Sequence, residues 1–158
     1  MKVKQPTIHP DTRIQSPKTR RILFVLLILN LCFIWGNSLM PADISGAFSG
    51  WAKDLINSIF HFWNGSGAAL NGDGVLRKIA HASEFAALGA LLTLLLGIPG
   101  KLFHVLFYGM TTALIDETIQ LFSAGRAARV TDVWIDFGGL CVGLALTALI
   151  RERVKLID

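Results

Sequence analysis

The sequence predicts an all-α membrane protein, with four transmembrane helices and an outer-surface amphipathic helix between the first two. Hydrophobic residues make up 53% of the 158-residue chain and charged residues only 16%, well under the quarter usual in soluble domains. Mean hydropathy is +0.54. The charges are also clumped between apolar runs long enough to span a bilayer. A net charge of +4 by itself suits nucleic acid, but the basic residues stand beside the apolar spans and read as topology signals, so no nucleic-acid partner is expected.

Residues 1–21 are polar, with Pro6, Pro10 and Pro17 and the basic residues Lys18, Arg20 and Arg21, and read as a flexible cytoplasmic arm. The apolar run at 22–40 forms the first span. It is too long for a cleavable signal, and Trp35 near its end suits an interface anchor. Asn30 within it suits a helix–helix hydrogen bond. In 44–64, Ile44, Phe48, Trp51, Leu55, Ile59 and Phe62 recur at spacings of three and four, opposite Lys53, Asp54, Asn57 and His61. That segment reads as a helix lying on the membrane surface; the same pattern also suits an amphipathic helix packed on a core.

A Gly/Asn/Ser-rich loop follows at 64–74. Residues 75–97 form the second span, IPGK (98–101) a tight turn, and 101–123 the third span. SAGRAAR (123–129) is a short basic loop before the fourth span at 131–150, and 151–158 is a cytoplasmic tail. With the N-terminus inside, ten basic residues lie inside and five outside, which places both termini in the cytoplasm. Cys32 and Cys141 sit in apolar runs and read as free, buried small hydrophobes.

The polar residues inside the spans are the unusual feature. An ionised carboxylate in a bilayer costs roughly 2.5–3.5 kcal/mol on insertion scales and needs partners. In this topology the start of span two, the end of span three, the arginine loop and the start of span four share the outer side. Lys78, His81 and Glu84 fall within about 120° of one helical face. Asp116, Glu117 and Gln120 form a second stripe, and Asp132 and Asp136 a third, one turn apart. Three stripes and a basic loop at one depth predict a single site. The glycines 138, 139 and 143 after Asp136 let another helix approach closely. His104 lies far from the cluster and reads as interfacial.

The residue types suggest the chemistry. Arg126, Arg129 and Lys78 suit an anionic group, because arginine binds phosphate or carboxylate bidentately and lysine adds a point charge. His81, with an ordinary pKa of about 6.5, is the natural proton-transfer group, and Asp116 or Glu117 would orient it or activate a water. The same polar set also serves helix pairing without chemistry, most readily at Glu84 and Asp136. No cofactor is identified. A divalent metal such as Zn or Mn is compatible with a histidine and several carboxylates, although no HExxH-like spacing is present. Ser83, Thr118, Ser123 and Thr131 lack a nucleophile-elbow context.

RKIAHASEFAALGALL (77–92) and ALIDETIQLFSAGRAARVTDVWIDFGGLCVG (113–143) together resemble the VanZ-like family of small bacterial integral membrane proteins. That family's pattern runs K-x-x-H-x-x-E-[YF], then D-E-x-x-Q-x-F, a Gly-Arg loop, and D-x-x-x-[DN]-x-x-G. Lys78, His81, Glu84 and Phe85 fit the first part. Asp116, Glu117, Gln120, Phe122, Gly125 and Arg126 fit the second, and Asp132, Asp136 and Gly139 the third. Phe85 stands where many members carry Tyr. The resemblance covers roughly residues 22–150 and implies about four membrane helices in a bacterial cell-envelope setting; the family takes its name from a protein linked to resistance to the glycopeptide antibiotic teicoplanin.

Three functions are compatible with these features. The first is an enzyme acting on an anionic or phosphorylated envelope lipid, or on a lipid-linked wall precursor, with His81, Asp116 and Glu117 catalytic. Lys78, Glu84, Gln120, Arg126, Arg129, Asp132 and Asp136 would bind the substrate. The second is a non-enzymatic binder of such a lipid, and the third a salt-bridged scaffold; a homo-oligomer is compatible with any of them.

Overall fold

The computed structural model describes residues 16–47, 50, 51, 54, 58, 73–97 and 100–155. All regular structure among them is helical. Four long helices form the body: α1 (Pro17–Leu39), α2 (Asp73–Leu96), α3 (Leu102–Leu121) and α4 (Val130–Lys155).

α1 starts more than a turn before the apolar run, inside the stretch expected to be a free arm. Ser16 caps it, its Oγ accepting from Thr19 N–H at 3.2 Å, and Pro17 opens the first turn. A missing N–H costs nothing at that position and the fixed φ suits the helix. α4 likewise continues past the apolar run through Arg151–Lys155, because arginine, glutamate and lysine are good helix formers whether or not lipid surrounds them. Between α1 and α2, residues 42–47, 50, 51, 54 and 58 are helical. The rest of the expected 44–64 helix, the 64–72 part of the loop and residues 98–99 of the IPGK turn lie outside the described residues.

The helices alternate in direction. The Arg126 guanidinium donates to the Asn37 and Met40 carbonyls, setting the α3–α4 loop against the end of α1. At the opposite pole, Arg151 Nη1 donates to the Thr93 carbonyl at 3.4 Å, joining the end of α4 to the end of α2. α2 and α4 therefore run parallel, in closest contact. Gly139 lies against the Ala82 backbone and Gly143 against that of Ala86, so a four-residue step on one helix meets the same step on the other. Only main chain without a side chain fits there, as the GGLCVG segment predicts. Gly138 faces away and meets nothing.

The core is a short column of Ile34, Phe85, Leu88, Leu92, Val105, Ala113, Val133 and Leu140. Around it the usual pattern is inverted. Phe24, Leu29, Phe33, Phe107, Trp134 and Leu146 are exposed, whereas Ser38, Asp116, Glu117, Gln120 and Asp136 are buried. Apolar outside and polar inside is the arrangement expected in lipid. Pro17–Leu39, Val75–Leu96 and Val130–Val154 are long and apolar enough to cross a membrane, which makes this a multi-pass membrane protein. α3 is not among those helices. Its buried stripe of Val105, Gly109, Thr112, Ala113, Asp116, Glu117 and Gln120 follows helical spacing and turns its acids inward.

Candidate functional site

The polar stripes meet at the pole where α1 and α3 end and α2 and α4 begin. Asp116, fully buried, is the centre. Its Oδ1 accepts from Ser38 Oγ at 2.6 Å and its Oδ2 from Gln120 Nε2 at 3.0 Å. Gln120 is one turn further along the same helix, so the sequence spacing alone delivers that bond. His81 Nδ1 stands 3.9 Å from Asp116 Oδ2, within ionic reach but beyond a hydrogen bond. His81 Nδ1 is buried and has no hydrogen-bond partner.

The flanking acids are each tied by one oxygen. Glu117 Oε2 accepts from the Arg129 backbone N–H at 3.1 Å, and Glu84 Oε1 from Asn37 Nδ2 at 2.8 Å. Their other oxygens, Glu117 Oε1 and Glu84 Oε2, are buried and unpartnered. Asp132 pairs with Lys78 at 3.3 Å near the surface. Asp136 is 2% exposed. A cavity of about 10 Å³, the size of one water or ion, lies among Arg77, Lys78, His81, Gln120, Asp132 and Asp136. His81, Asp116 and Asp136 each offer a donor atom, all within 4.8 Å of one another, so among the described residues this trio is a set able to hold a metal.

Of the expected anion-binding residues, Arg126 is the most constrained. Two of its nitrogens donate to Met40 O (2.9 Å) and Asn37 O (2.8 Å), and the third, Nη1, is buried without a partner. Desolvation lowers its pKa from the usual value and nearby Arg77 adds to this, while Asp116, Glu117 and Glu84 oppose the shift. Arg129 engages through its backbone N–H, and its residue is exposed.

The structure adds residues that the stripes did not reveal. Ser38 and Asn37, at the end of α1, each bond a carboxylate 47 or more positions away, and Arg77 lines the cavity. Ser123 donates to the Ser38 carbonyl at 2.6 Å, and Thr118 and Ser83 donate to carbonyls of their own helices, which is bonding without nucleophilic character. Asn30 does reach another helix, at the Glu84 carbonyl (3.4 Å). Trp35, expected at an interface, packs on the core with its indole N–H buried. Cys32 is exposed and Cys141 half-buried, both as free thiols.

A second, much larger cavity of about 1850 Å³ runs from Trp35 and Thr112 past Leu31 and Leu92 to Arg20 and Lys101 at the opposite pole. It is lined mainly by apolar side chains and ends among Arg20, Arg21, Lys101, Arg151 and Glu152.

No curated protein and no solved structure matches the chain. The VanZ/LLP1 family model matches residues 23–151, which contain all three polar stripes and the glycine contact. The chain therefore belongs to the VanZ/LLP1 family.

Proposed function

We propose that this protein acts at the outer face of the bacterial cytoplasmic membrane on an anionic or phosphorylated envelope lipid, or a lipid-linked wall precursor, by His81-assisted hydrolysis or group transfer. In this reading both termini are cytoplasmic and α3 is the fourth span. Its 20 residues reach about 30 Å, a bilayer core's thickness. The helical residues 42–47, 50, 51, 54 and 58 lie on the outer surface in this reading.

The observation that carries the proposal is the His81–Asp116 pair, with Asp116 fixed by Ser38 and Gln120. A base oriented by a buried, hydrogen-bonded carboxylate is a recurrent proton-transfer device. His81 takes the proton of a water or acceptor hydroxyl as its oxygen attacks phosphorus or a carbonyl carbon. The bond to the leaving oxygen breaks, and that oxygen receives the proton. The free Nη1 of Arg126, with Lys78 and Arg129 at the rim, offsets the anionic charge. Glu117 supports the base, and Gln120, Glu84, Asp132 and Asp136 shape the headgroup pocket.

The second reading is a non-catalytic binder of the same lipid class. It is favoured by the contrast in size between the long apolar cavity, which suits acyl chains, and the polar cavity of about 10 Å³.

Lipid mass spectrometry on the purified protein and its His81→Gln variant, each incubated with envelope lipid extract, separates the two. Alteration of a lipid by the unmodified protein alone supports the enzyme and names its substrate. A lipid that co-purifies with both and is changed by neither overturns catalysis and leaves the binder.

A further inference from the structure

We propose that His81, Asp116 and Asp136 form a binding site for one first-row divalent cation, of the Mn²⁺ or Zn²⁺ type. The proposal does not depend on the lipid reading, since a cation can hold the helices together with or without turnover.

The first support is geometric. One donor atom from each residue lies within 4.8 Å of the others, and the three come from α2, α3 and α4. Ligands about 2.1 Å from a shared ion stand roughly 3–4 Å apart, so a contraction on the order of 1 Å closes the set. The neighbouring cavity has the volume of a single ion or water and is lined by His81 and Asp136.

The second support is independent of the clustering. Asp136 is 98% buried, lines that cavity, and makes no hydrogen bond or ion pair among the described residues. A buried carboxylate with no partner is costly unless something neutralises it. No side-chain cation among the described residues is paired with it: Arg77 lines the same cavity without bonding Asp136, and the other two nearby are held by other groups. Lys78 sits on Asp132, while Arg126 is held by two carbonyls. His81 Nδ1 is likewise buried and unpartnered.

Asp116 already has the support that a ligand needs. Ser38 and Gln120 each occupy one lone pair of its two oxygens, and each oxygen keeps another for a metal. One imidazole and two carboxylates suit Mn²⁺ or Zn²⁺ better than an all-oxygen cation. Three protein ligands also leave coordination positions open for water or an anionic group.

The test uses the full chain, tag-free, stripped with chelator and titrated in detergent with Mn²⁺ followed by EPR, and separately with Zn²⁺ by calorimetry. The expected result is stoichiometric binding at sub-millimolar metal, with pulsed EPR showing ¹⁴N coupling from one imidazole. His81→Gln removes that coupling, and Asp136→Asn weakens binding by more than about tenfold. Glu152→Gln, at the opposite pole, leaves binding unchanged. Absence of binding by the unmodified protein overturns the proposal, as does Mn²⁺ binding without ¹⁴N coupling or affinity unaffected by Asp136→Asn; a proton shared within the acid cluster then neutralises it. If Asp136→Asn does not fold, the ¹⁴N signal of the unmodified protein decides alone.

Discussion

Adjacent glycines on α4 should respond to the same substitution with opposite signs. A methyl group built on Gly138 meets nothing within 4 Å, whereas on Gly139 it strikes the Ala82 carbonyl of α2, and on Gly143 that of Ala86. Replacing a helical glycine by alanine gains about 0.8–1 kcal/mol of helix preference, so Gly138→Ala should stabilise by about that much. Gly139→Ala and Gly143→Ala gain the same preference but must push two helix backbones apart. Overpacking of this kind costs about 1–3 kcal/mol. The upper end applies because the struck atom is a main-chain carbonyl and has no alternative rotamer. The gap between Gly138→Ala and either of the other two variants is then the steric cost itself. One tenfold change in the unfolding constant corresponds to about 1.4 kcal/mol, so a gap of that range is readily measured. Unfolding in mixed detergent–SDS micelles, followed by tryptophan fluorescence, reads all three variants, and Trp134 lies on the same helix. Equal stability for the three would refute the parallel α2–α4 contact on which the site's geometry depends.

Ser38→Ala should destabilise by about 1.5–3 kcal/mol in the same assay, because it removes a 2.6 Å bond to a buried carboxylate. Phe85→Ala should cost about 3–5 kcal/mol, since the ring is fully buried beneath the site; Phe85→Tyr tests whether a hydroxyl is tolerated there and should also destabilise. Lys78→Gln should change stability by no more than about 1 kcal/mol, because its pair with Asp132 is partly exposed.

Much of the architecture could be read from periodicity. The stripe from Val105 to Gln120 keeps helical spacing throughout, and the acids and His81 stand on stripes that do converge. Hydropathy misplaced the start of α1 and the end of α4, because it reports which residues tolerate lipid, whereas Ser16 and the Arg151–Lys155 turn are governed by capping and helix preference. Asn37 and Ser38 were illegible for a different reason. A serine or asparagine at the end of an apolar run has no local sign of its partner, and the bonds to Glu84 and Asp116 exist only once α1 docks. The role of Arg126 was half legible. Its charge pointed to an anion, but the carbonyls of Asn37 and Met40 that hold it come from the far end of another helix.

The pattern of unmade bonds bears on the choice between the functional readings and a scaffold. A network that only fixes helix packing gains by closing every bond, since each buried orphan costs about 1–3 kcal/mol. Among the described residues Glu84, Glu117, His81 and Arg126 each keep one buried polar atom without a partner, as do Asn30, Trp35 and Thr93; Glu84, Glu117 and Arg126 are otherwise well bonded. Four of the seven gather at one pole, which is the pattern expected of the proposed binding site. The pair at the rim offers the decisive comparison. Lys78→Asp combined with Asp132→Lys restores the ion pair with its direction reversed. A scaffold predicts recovery of both stability and function, the latter read as lipid alteration or retention in the mass-spectrometric assay. A site that uses Lys78 to meet an anion predicts recovered stability and lost function, because the charge now stands on the wrong helix.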